Sequence, residues 1–291
     1  MKYGTVCAYW TKEWSNKDYI AFAKRIKGLG FDVMELPAGD LLKMSDEKLF
    51  ELRDIATELN LEISSNIGPP KNKNISSENP EIQQAGIKYL QDIMLKMEKL
   101  GSKVLVGAMY NCWPYDFTDL DKPAIWKRAV ANMRLLADFA EKHNITLCLE
   151  VLNRFETNLI NTCSEGVKFC NEVGKDNVKL LLDTFHMNIE EDNLPRAIIE
   201  AGSHLGHLHV GEGNRKLPGQ GHLPWAEIGI ALRKIGYEND VVMEPFLKSE
   251  GEVGRDIKVW RDLSDNADTE KMDSMIADSL GFLKSNFEVA K

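Results

Sequence analysis

The fold is decided by four short apolar runs: TLCLEVLN (146–153), VKLLLDTF (178–185), LGHLHVG (205–211) and DVVMEPF (240–246). Four runs of the same kind precede them: TVCAYW (5–10), FDVMEL (31–36), LEISSNIG (61–68) and KVLVGAMY (103–110). Amphipathic stretches of helical period separate the runs, as in KDYIAFAKRIKGLG (17–30). Strict alternation predicts a parallel sheet, because each parallel crossover needs a helix to return the chain. Eight units in 291 residues predict an α/β fold, a (β/α)8 TIM barrel that forms one domain over residues 1–291.

The main competing architecture is a doubly wound open sheet. Such a sheet is expected to carry a glycine-rich phosphate turn after its first strand, whereas residues 10–14 read WTKEW. No linker divides the chain, because the least regular stretches each lie between a strand and a helix: Pro69–Pro80, Asn111–Pro123 and Lys248–Asp268. We interpret these stretches as enlarged βα loops, which build the active site of a barrel.

The bulk composition excludes several function classes. A formal net charge of −9 leaves no basic stripe for phosphates, so we expect no nucleic-acid partner. No segment approaches the roughly 20 continuous apolar residues of a membrane span, and the start MKYGTVCAYW lacks the apolar run of a signal peptide. The five cysteines form no C-x-x-C pair, which fits reduced thiols in a cytoplasmic protein.

Four ionisable residues stand at the ends of the last four predicted strands: Glu150, Asp183, His209 and Glu244. All strand ends of a barrel open on one face, so these residues can converge on one point. Three unpartnered carboxylates there would repel one another, and a divalent cation removes that conflict. The oxygen-rich set suits Mn²⁺, Mg²⁺ or Co²⁺, with Zn²⁺ also possible. The alternative is that each of the four side chains has hydrogen-bond partners of its own and that the four do not form one site.

The segments that follow these strands are rich in polar and aromatic side chains. The polar ones suit a polyhydroxylated substrate, with ordinary solvated loop charges as the alternative: Arg154, Glu156, His186, Glu212 and Arg215. The aromatic ones can stack on a sugar or simply pack: Trp14, Trp113, Phe185 and Phe246. His207 shares a face with His209 and is either a partner of that ligand or a core histidine. Glu190 is interpreted as a solvated charge favoured by the dipole of the helix that follows it.

LEVLNRFE (149–156), LDTFHMNIEED (182–192), HLHVGEGNRKLPGQGHLPW (207–225) and VMEPF (242–246) strongly resemble the D-tagatose 3-epimerase and D-psicose 3-epimerase family. The resemblance implies a homodimeric or homotetrameric barrel enzyme with Mn²⁺, or Co²⁺ or Mg²⁺, on the four ligands above. It implies that Glu150 and Glu244 are also the catalytic acid/base pair. It implies substrate contacts from a set of side chains, of which the first three would hold the O1 to O3 end of a ketose: Glu156, His186, Arg215, Trp113, Phe246, Val6, Ala108 and Trp14.

The implied reaction has a physical basis. The hydrogen on C3 of a ketose is acidified by the C2 carbonyl, and a metal stabilises the enediolate that forms when the proton leaves. Epimerisation needs a base on each face of the sugar, and strands five and eight are expected on opposite sides of the mouth. Val6, Cys7 and Asn66 depart from the family pattern, so the preferred ketose stays open among D-fructose/D-psicose, D-tagatose/D-sorbose and ribulose/xylulose. Two alternatives are a related sugar isomerase or lyase acting on a 3-keto sugar or C-glycoside, and a sugar-binding protein without turnover.

Overall fold

A computed structural model describes residues 1–15, 18–115 and 117–288. Eight parallel strands close into one barrel in chain order, β1 next to β8. The strands are β1 Lys2–Val6, β2 Val33–Pro37, β3 Glu62–Ile67, β4 Val104–Gly107, β5 Thr146–Glu150, β6 Val178–Asp183, β7 Leu205–Val210 and β8 Asp240–Met243. The predicted fold class is confirmed, and each predicted run contains or overlaps its strand.

The first strand ends earlier than its apolar run suggested. β1 pairs with β2 as far as Val6, which lies opposite Glu35, and the ladder to β8 ends one residue sooner. Without a partner strand, the chain turns into a short 3-10 segment at Cys7–Tyr9, closed by the amide of Trp10 donating to the Cys7 carbonyl at 3.1 Å. All three residues of the turn are buried, so apolarity alone could not mark where the strand ends.

Eleven α-helices of the described residues surround the strands or sit in the loops. They are α1 Tyr19–Gly28, α2 Ala38–Leu41, α3 Asp46–Glu58, α4 Pro80–Leu100, α5 Lys122–Lys142, α6 Cys163–Val173, α7 Thr184–Glu190, α8 Leu194–Ala201, α9 Trp225–Lys234, α10 Gly251–Asp256 and α11 Thr269–Phe287. Asn79 caps α4, and Pro80 occupies its first turn. None of the helices in the described ranges combines the length and apolarity needed to cross a membrane.

The core has an outer and an inner part. The outer part is a large apolar cluster that joins one face of the strands to the helices. Alternate strand residues point into the barrel. With Ala8, Phe246 and Val253 from the segments that follow β1 and β8, they form two small clusters: Val6, Ala8, Val33, Val242, Phe246 and Val253, and Val106, Cys148 and Leu181. Polar side chains that are almost fully buried also occur on inward-facing positions of the strands, among them Glu35 and His207. The barrel interior is therefore only partly apolar, which is unusual for a core.

The three irregular stretches are βα loops, as predicted. The first contains a 3-10 turn at Lys71–Lys73, the second surrounds Asp116, which lies outside the described residues, and the third contains α10. At the start of the second loop, Gly107 has φ +118°, and a Cβ there would lie 2.2 Å from the Ile67 carbonyl oxygen. Only glycine allows β4 to end this close to β3, which places Ala108 at the mouth of the barrel.

Candidate metal centre and active site

Four side chains converge at the carboxyl-terminal mouth of the barrel. One ligand-type atom from each lies within 4.8 Å of the others: Glu150, Asp183, His209 and Glu244. Nδ1 of His209 is 3.5 Å from a carboxylate oxygen of Glu244 and 3.9 Å from one of Asp183. The structure thus brings together the four side chains that the sequence suggested as ligands.

Asp183 divides its two carboxylate oxygens between two tasks. Oδ1 accepts the amides of Phe185 at 2.6 Å and His186 at 3.3 Å, which caps the amino terminus of α7. Oδ2 faces His209. Because the cap fixes the side-chain torsions, the second oxygen is held toward the centre without further restraint.

Glu35 is the residue of this site that the sequence analysis missed. It lies in the middle of β2, is fully buried, and accepts Nε2 of His209 on Oε1 at 2.9 Å. The same carboxylate receives Asn66 at 3.2 Å and Ser64 at 2.9 Å, and Nε2 of His207 lies 3.0 Å away. A signal existed, because an acidic residue inside an apolar strand breaks the pattern of a buried strand just as the strand-end residues do.

The charges and burial of the side chains at this centre favour binding of a cation. Burial, followed by the nearby Glu244 carboxylate, raises the pKa of Glu150 well above its usual value. Burial opposes protonation of His209, but Glu35 and Glu244 outweigh it and raise the pKa of this histidine. Nδ1 of His209 is buried and has no hydrogen-bond partner. Three carboxylates around one unpartnered imidazole nitrogen are a donor set that fits a hard or borderline divalent cation.

His186 is held as a neutral imidazole. Burial lowers its pKa. Its Nδ1 accepts the backbone amide of Asn153 at 3.1 Å and faces the Nδ2 amide group of the same residue at 2.7 Å. Since both partners are donors, Nδ1 carries no proton and Nε2 carries it. Nε2 lies 3.7 Å from Glu150, so the imidazole presents an N–H donor beside the metal centre.

Glu156 is held as an ionised carboxylate on the other side of His186. Trp113 donates its indole N–H at 2.8 Å and Asn153 donates at 3.1 Å, while the Arg215 guanidinium lies 3.5 Å away. Burial by itself would raise the pKa of Glu156, but the charge of His186 where acid protonates it, the charge of Arg215 and the two hydrogen bonds outweigh burial, and the pKa is lowered. The ionised group is therefore an acceptor for hydroxyl groups.

Arg215 is 5% exposed and sits in a left-handed conformation with φ +66°. Its guanidinium carbon lies 3.6 Å from the centre of the Phe185 ring, a cation–π contact. Nε and Nη1 are buried without a hydrogen-bond partner. A buried guanidinium with free donors at the edge of a cavity is a ready site for substrate oxygens.

The loop that carries Arg215 is fastened by Glu212. Oε1 accepts the amide of Gly219 at 2.9 Å and the indole N–H of Trp225 at 2.7 Å. Oε2 accepts the amides of His222 at 3.1 Å and Leu223 at 3.3 Å. Glu212, considered above as a candidate polar contact, is fully buried and holds the loop instead.

An aromatic wall closes one side of the cavity. Trp14 stands at its centre and packs edge to face against Trp113 and Phe246, with both pairs of ring centroids 5.8 Å apart. The cavity measures about 490 Å³, and Ala108 and Asn66 also line it. Val6 does not line it; this residue packs behind the wall in the inner cluster that contains Phe246.

Glu190 is not the solvated charge that we expected. Its side chain is 6% exposed, and it accepts the amide of Arg154 at 2.7 Å and the guanidinium of the same residue at 2.9 and 2.8 Å. Arg154, one of the candidate polar residues, is thereby turned away from the cavity and does not line it.

Comparison with known proteins agrees with this geometry. The family model of the xylose isomerase-like TIM barrels matches residues 23–263. A D-psicose 3-epimerase of Agrobacterium fabrum is 45% identical over 283 residues, across 97% of this chain and 98% of that protein. The chain belongs to the D-psicose 3-epimerase family. A second family member, from Ruminiclostridium cellulolyticum, is also 45% identical, across 100% of this chain and 99% of its own.

Solved structures of the family superimpose closely. The crystal structure of D-psicose 3-epimerase with D-tagatose from Clostridium cellulolyticum H10 has a TM-score of 0.97 at 45% identity, and the match covers 99% of this chain and 100% of that one. The predicted family is confirmed. The predicted enzyme class, an isomerase, is confirmed as well, because an epimerase is an isomerase. A possible site for a divalent metal is present, in keeping with the predicted cofactor class.

Proposed function

We propose that the protein interconverts ketoses that differ in configuration at C3, with Glu150 and Glu244 as the two proton-transferring carboxylates. The observation that carries this proposal is that both carboxylates line one cavity. Together with His209 and Asp183, they form a cluster whose ligand-type atoms lie within 4.8 Å of one another. The names of the relatives support ketohexoses such as D-psicose and D-tagatose as substrates.

The placement of Glu150 and Glu244 supports two-base chemistry. Each catalytic carboxylate must remove a proton in one direction and return it in the other, and both carboxylates face the one cavity in which a sugar would lie. A bound divalent cation would supply the positive charge that stabilises the enediolate and would offset the repulsion between the carboxylates. We infer Mn²⁺ as the resident ion, with Co²⁺ and Mg²⁺ as substitutes, on the basis of the three-oxygen, one-nitrogen donor set.

The neighbouring groups support recognition of the O1 to O3 end of the sugar. Glu156 offers a carboxylate acceptor, His186 an Nε2–H donor and Arg215 the N–H groups of Nε and Nη1, which have no hydrogen-bond partner, and all three residues line the cavity with the catalytic pair. A site built from such buried polar groups rejects analogues that lack the matching hydroxyls, because its own groups would then be unpaired. The aromatic wall of Trp14, Trp113 and Phe246 would then contact the carbons at the other end of the sugar.

We also infer a homodimer or homotetramer in a reducing, cytoplasmic compartment. Large apolar side chains stand in solvent, among them Trp260 at 73% and Phe155 at 63% exposure, which supports association between copies. All five cysteines are buried, which supports reduced thiols and a reducing environment. Sedimentation velocity with the purified protein gives the oligomeric state directly, and a monomer would refute this part of the proposal.

The central test is proton exchange at C3. Metal-loaded protein is incubated with D-fructose, D-psicose, D-tagatose and D-ribulose in D₂O, and the products are identified by NMR. We expect C3 epimers with deuterium at C3, and a loss of turnover of about 10²-fold or more in Glu150→Gln and Glu244→Gln. Glu191→Gln is the matched control, because Glu191 is a partly buried carboxylate outside the cavity that accepts the Cys163 amide.

The outcomes separate the rival functions. An aldose product would indicate an aldose–ketose isomerase, and cleavage of a 3-keto sugar or C-glycoside would indicate a lyase. Binding without deuterium at C3 would indicate a sugar-binding protein. Unaltered turnover in either glutamine variant, measured with metal content confirmed, would refute the assigned bases.

A further inference from the structure

Resting on the metal site of the proposed function, we propose that Glu35 is a positioning residue that holds His209 through its Nε2 and so presents its Nδ1 to the metal. Glu35 does not line the cavity and so does not touch a bound sugar. Its effect is exerted entirely through the ligand histidine, one layer below the metal centre.

The surroundings of Glu35 leave little room for a purely packing role. The residue lies on an inward-facing position of β2, two residues beyond Val33 of the first inner cluster. A carboxylate placed there is strongly destabilising unless its oxygens are fully hydrogen-bonded. An apolar side chain of equal size would fill the same space without that cost.

The contacts satisfy that requirement. Oε1 accepts His209 at 2.9 Å and Asn66 at 3.2 Å. Oε2 accepts Ser64 at 2.9 Å and has Nε2 of His207 at 3.0 Å. Two of these four neighbours are themselves placed at the cavity, because His209 and Asn66 both line it.

The geometry of His209 gives the carboxylate its role. An imidazole has two nitrogens, and a hydrogen bond that fixes a proton on one leaves the lone pair on the other. Nε2 is engaged by Glu35, whereas Nδ1 faces Glu244 at 3.5 Å and Asp183 at 3.9 Å with no hydrogen-bond partner. The negative charge behind the ring also makes it a stronger donor to a cation.

A second reading is that Glu35, His207 and His209 hold an ion of their own, because their ligand atoms also lie within 4.8 Å of one another. That reading requires His209 to bind one ion through each nitrogen and to lose its ring proton entirely. Nε2 of His209 lies 2.9 Å from the Glu35 carboxylate, which is an ordinary hydrogen-bond length. The observations therefore favour one ion with an anchored ligand, and the number of bound ions decides between the readings.

The first experiment measures Mn²⁺ binding to metal-free protein by isothermal titration calorimetry. Glu35→Gln keeps the size of the side chain but removes its charge, and we expect its dissociation constant to rise about 10- to 100-fold. Ser64→Ala is the matched control, because it removes a hydrogen bond to the far oxygen of the same carboxylate and leaves His209 untouched. We expect its dissociation constant to stay within about twofold of the wild-type value. Equal Mn²⁺ binding by Glu35→Gln and the wild type overturns the inference, as does a stoichiometry of two ions in the wild type.

The second experiment uses the wild-type chain and is therefore independent of how any variant folds. Long-range ¹H–¹⁵N NMR of histidine-labelled protein, metal-free and loaded with Mg²⁺, reports which ring nitrogens carry protons. We expect a protonated, exchange-protected Nε2 on His209 in both forms, and an unprotonated Nε2 in either form overturns the inference. Epimerisation by the wild type is measured separately, so failure of this inference leaves the proposed function standing, and failure of the proposed function is visible in the wild type alone.

Discussion

Replacement of Glu212 by glutamine tests whether this buried carboxylate fastens the loop that carries Arg215. Both oxygens of Glu212 accept two donors each, from three backbone amides and one indole N–H. In Glu212→Gln one oxygen becomes an NH₂ group that faces two N–H donors, so two hydrogen bonds are lost and two buried donors are left unsatisfied. At about 1 to 3 kcal/mol for each unsatisfied group, the expected loss of stability is about 2 to 6 kcal/mol.

The expected shift in melting temperature follows from the length of the chain. An unfolding entropy of about 2.1 cal/mol/K per residue over 291 residues gives about 0.6 kcal/mol/K, so Tm should fall by about 3 to 10 °C. Thermal unfolding of metal-free protein, followed by circular dichroism, measures the shift. The KM for the ketose should rise as well, because Arg215 receives its position from a hydrogen bond between its amide and the Glu212 carbonyl and from the loop that Glu212 holds.

Glu227→Gln is the matched control, since Glu227 is an exposed carboxylate in the first turn of the neighbouring helix α9. We expect its effect to stay within about 0.5 kcal/mol. If Glu212→Gln melts within 1 °C or so of the wild type, the loop does not depend on the carboxylate and the reasoning is refuted.

Three further predictions concern the metal, the aromatic wall and pH. Addition of Mn²⁺ to metal-free protein at 100 times its dissociation constant should raise stability by about 2.7 kcal/mol, or about 4 °C in Tm, and a Tm that ignores both Mn²⁺ and chelator would count against the metal site. Trp113→Phe keeps an aromatic ring but removes the indole donor to Glu156, so kcat/KM should fall about 10-fold or more and the acidic limb of its pH profile should move upward; an unchanged profile would exclude this role for the indole. The Arg154 hydrogen bonds lower the pKa of Glu190, so this pair contributes stability above the usual glutamate pKa of about 4.3 that is lost as the pH falls through the lowered value. Urea unfolding of Glu190→Gln should accordingly differ from the wild type at pH 7 and converge with it in acid, and a constant difference would contradict the assignment.

Most of the fold was predictable because the signal repeats. Eight apolar runs and the helices between them each report one barrel unit, so an error in one, such as the end of β1 near Val6, leaves the architecture unchanged. The end of that strand depends on where β2 and β8 stop pairing, which is a property of the closed sheet and not of the local residues. The same dependence places Val6 behind Phe246, away from the cavity.

The candidate site was predictable to the extent that its residues follow strands. Strand ends converge by topology, so the four ligand candidates could be found without coordinates. Hydrogen-bond partners cannot be read in this way, because Asn153 reaches His186 across 33 positions and Glu35 reaches His209 across 174. Glu212 and Glu190 show the same limit, since a loop carboxylate that binds substrate and one that fastens a loop have the same sequence context.

The mouth and interior of the barrel contain more carboxylates than cationic groups. Five carboxylates lie along this region: Glu35, Glu150, Glu156, Asp183 and Glu244. Among the described residues, the Arg215 guanidinium is the permanently charged cation that is buried beside them. Glu35 and Glu156 have hydrogen-bond donors of their own, and Asp183 has one oxygen capped. Glu150 and Glu244 have only longer contacts in the described structure: 3.7 Å from Glu150 to Nε2 of His186, and 3.5 and 3.8 Å from Glu244 to Nδ1 of His209 and Nη1 of Arg215. The point of least satisfied charge is also the point where the four candidate ligand atoms meet. A divalent cation at that point would balance the negative charge of these carboxylates as well as supply the chemistry, which is why we expect metal removal and Glu35→Gln to affect the same measurement.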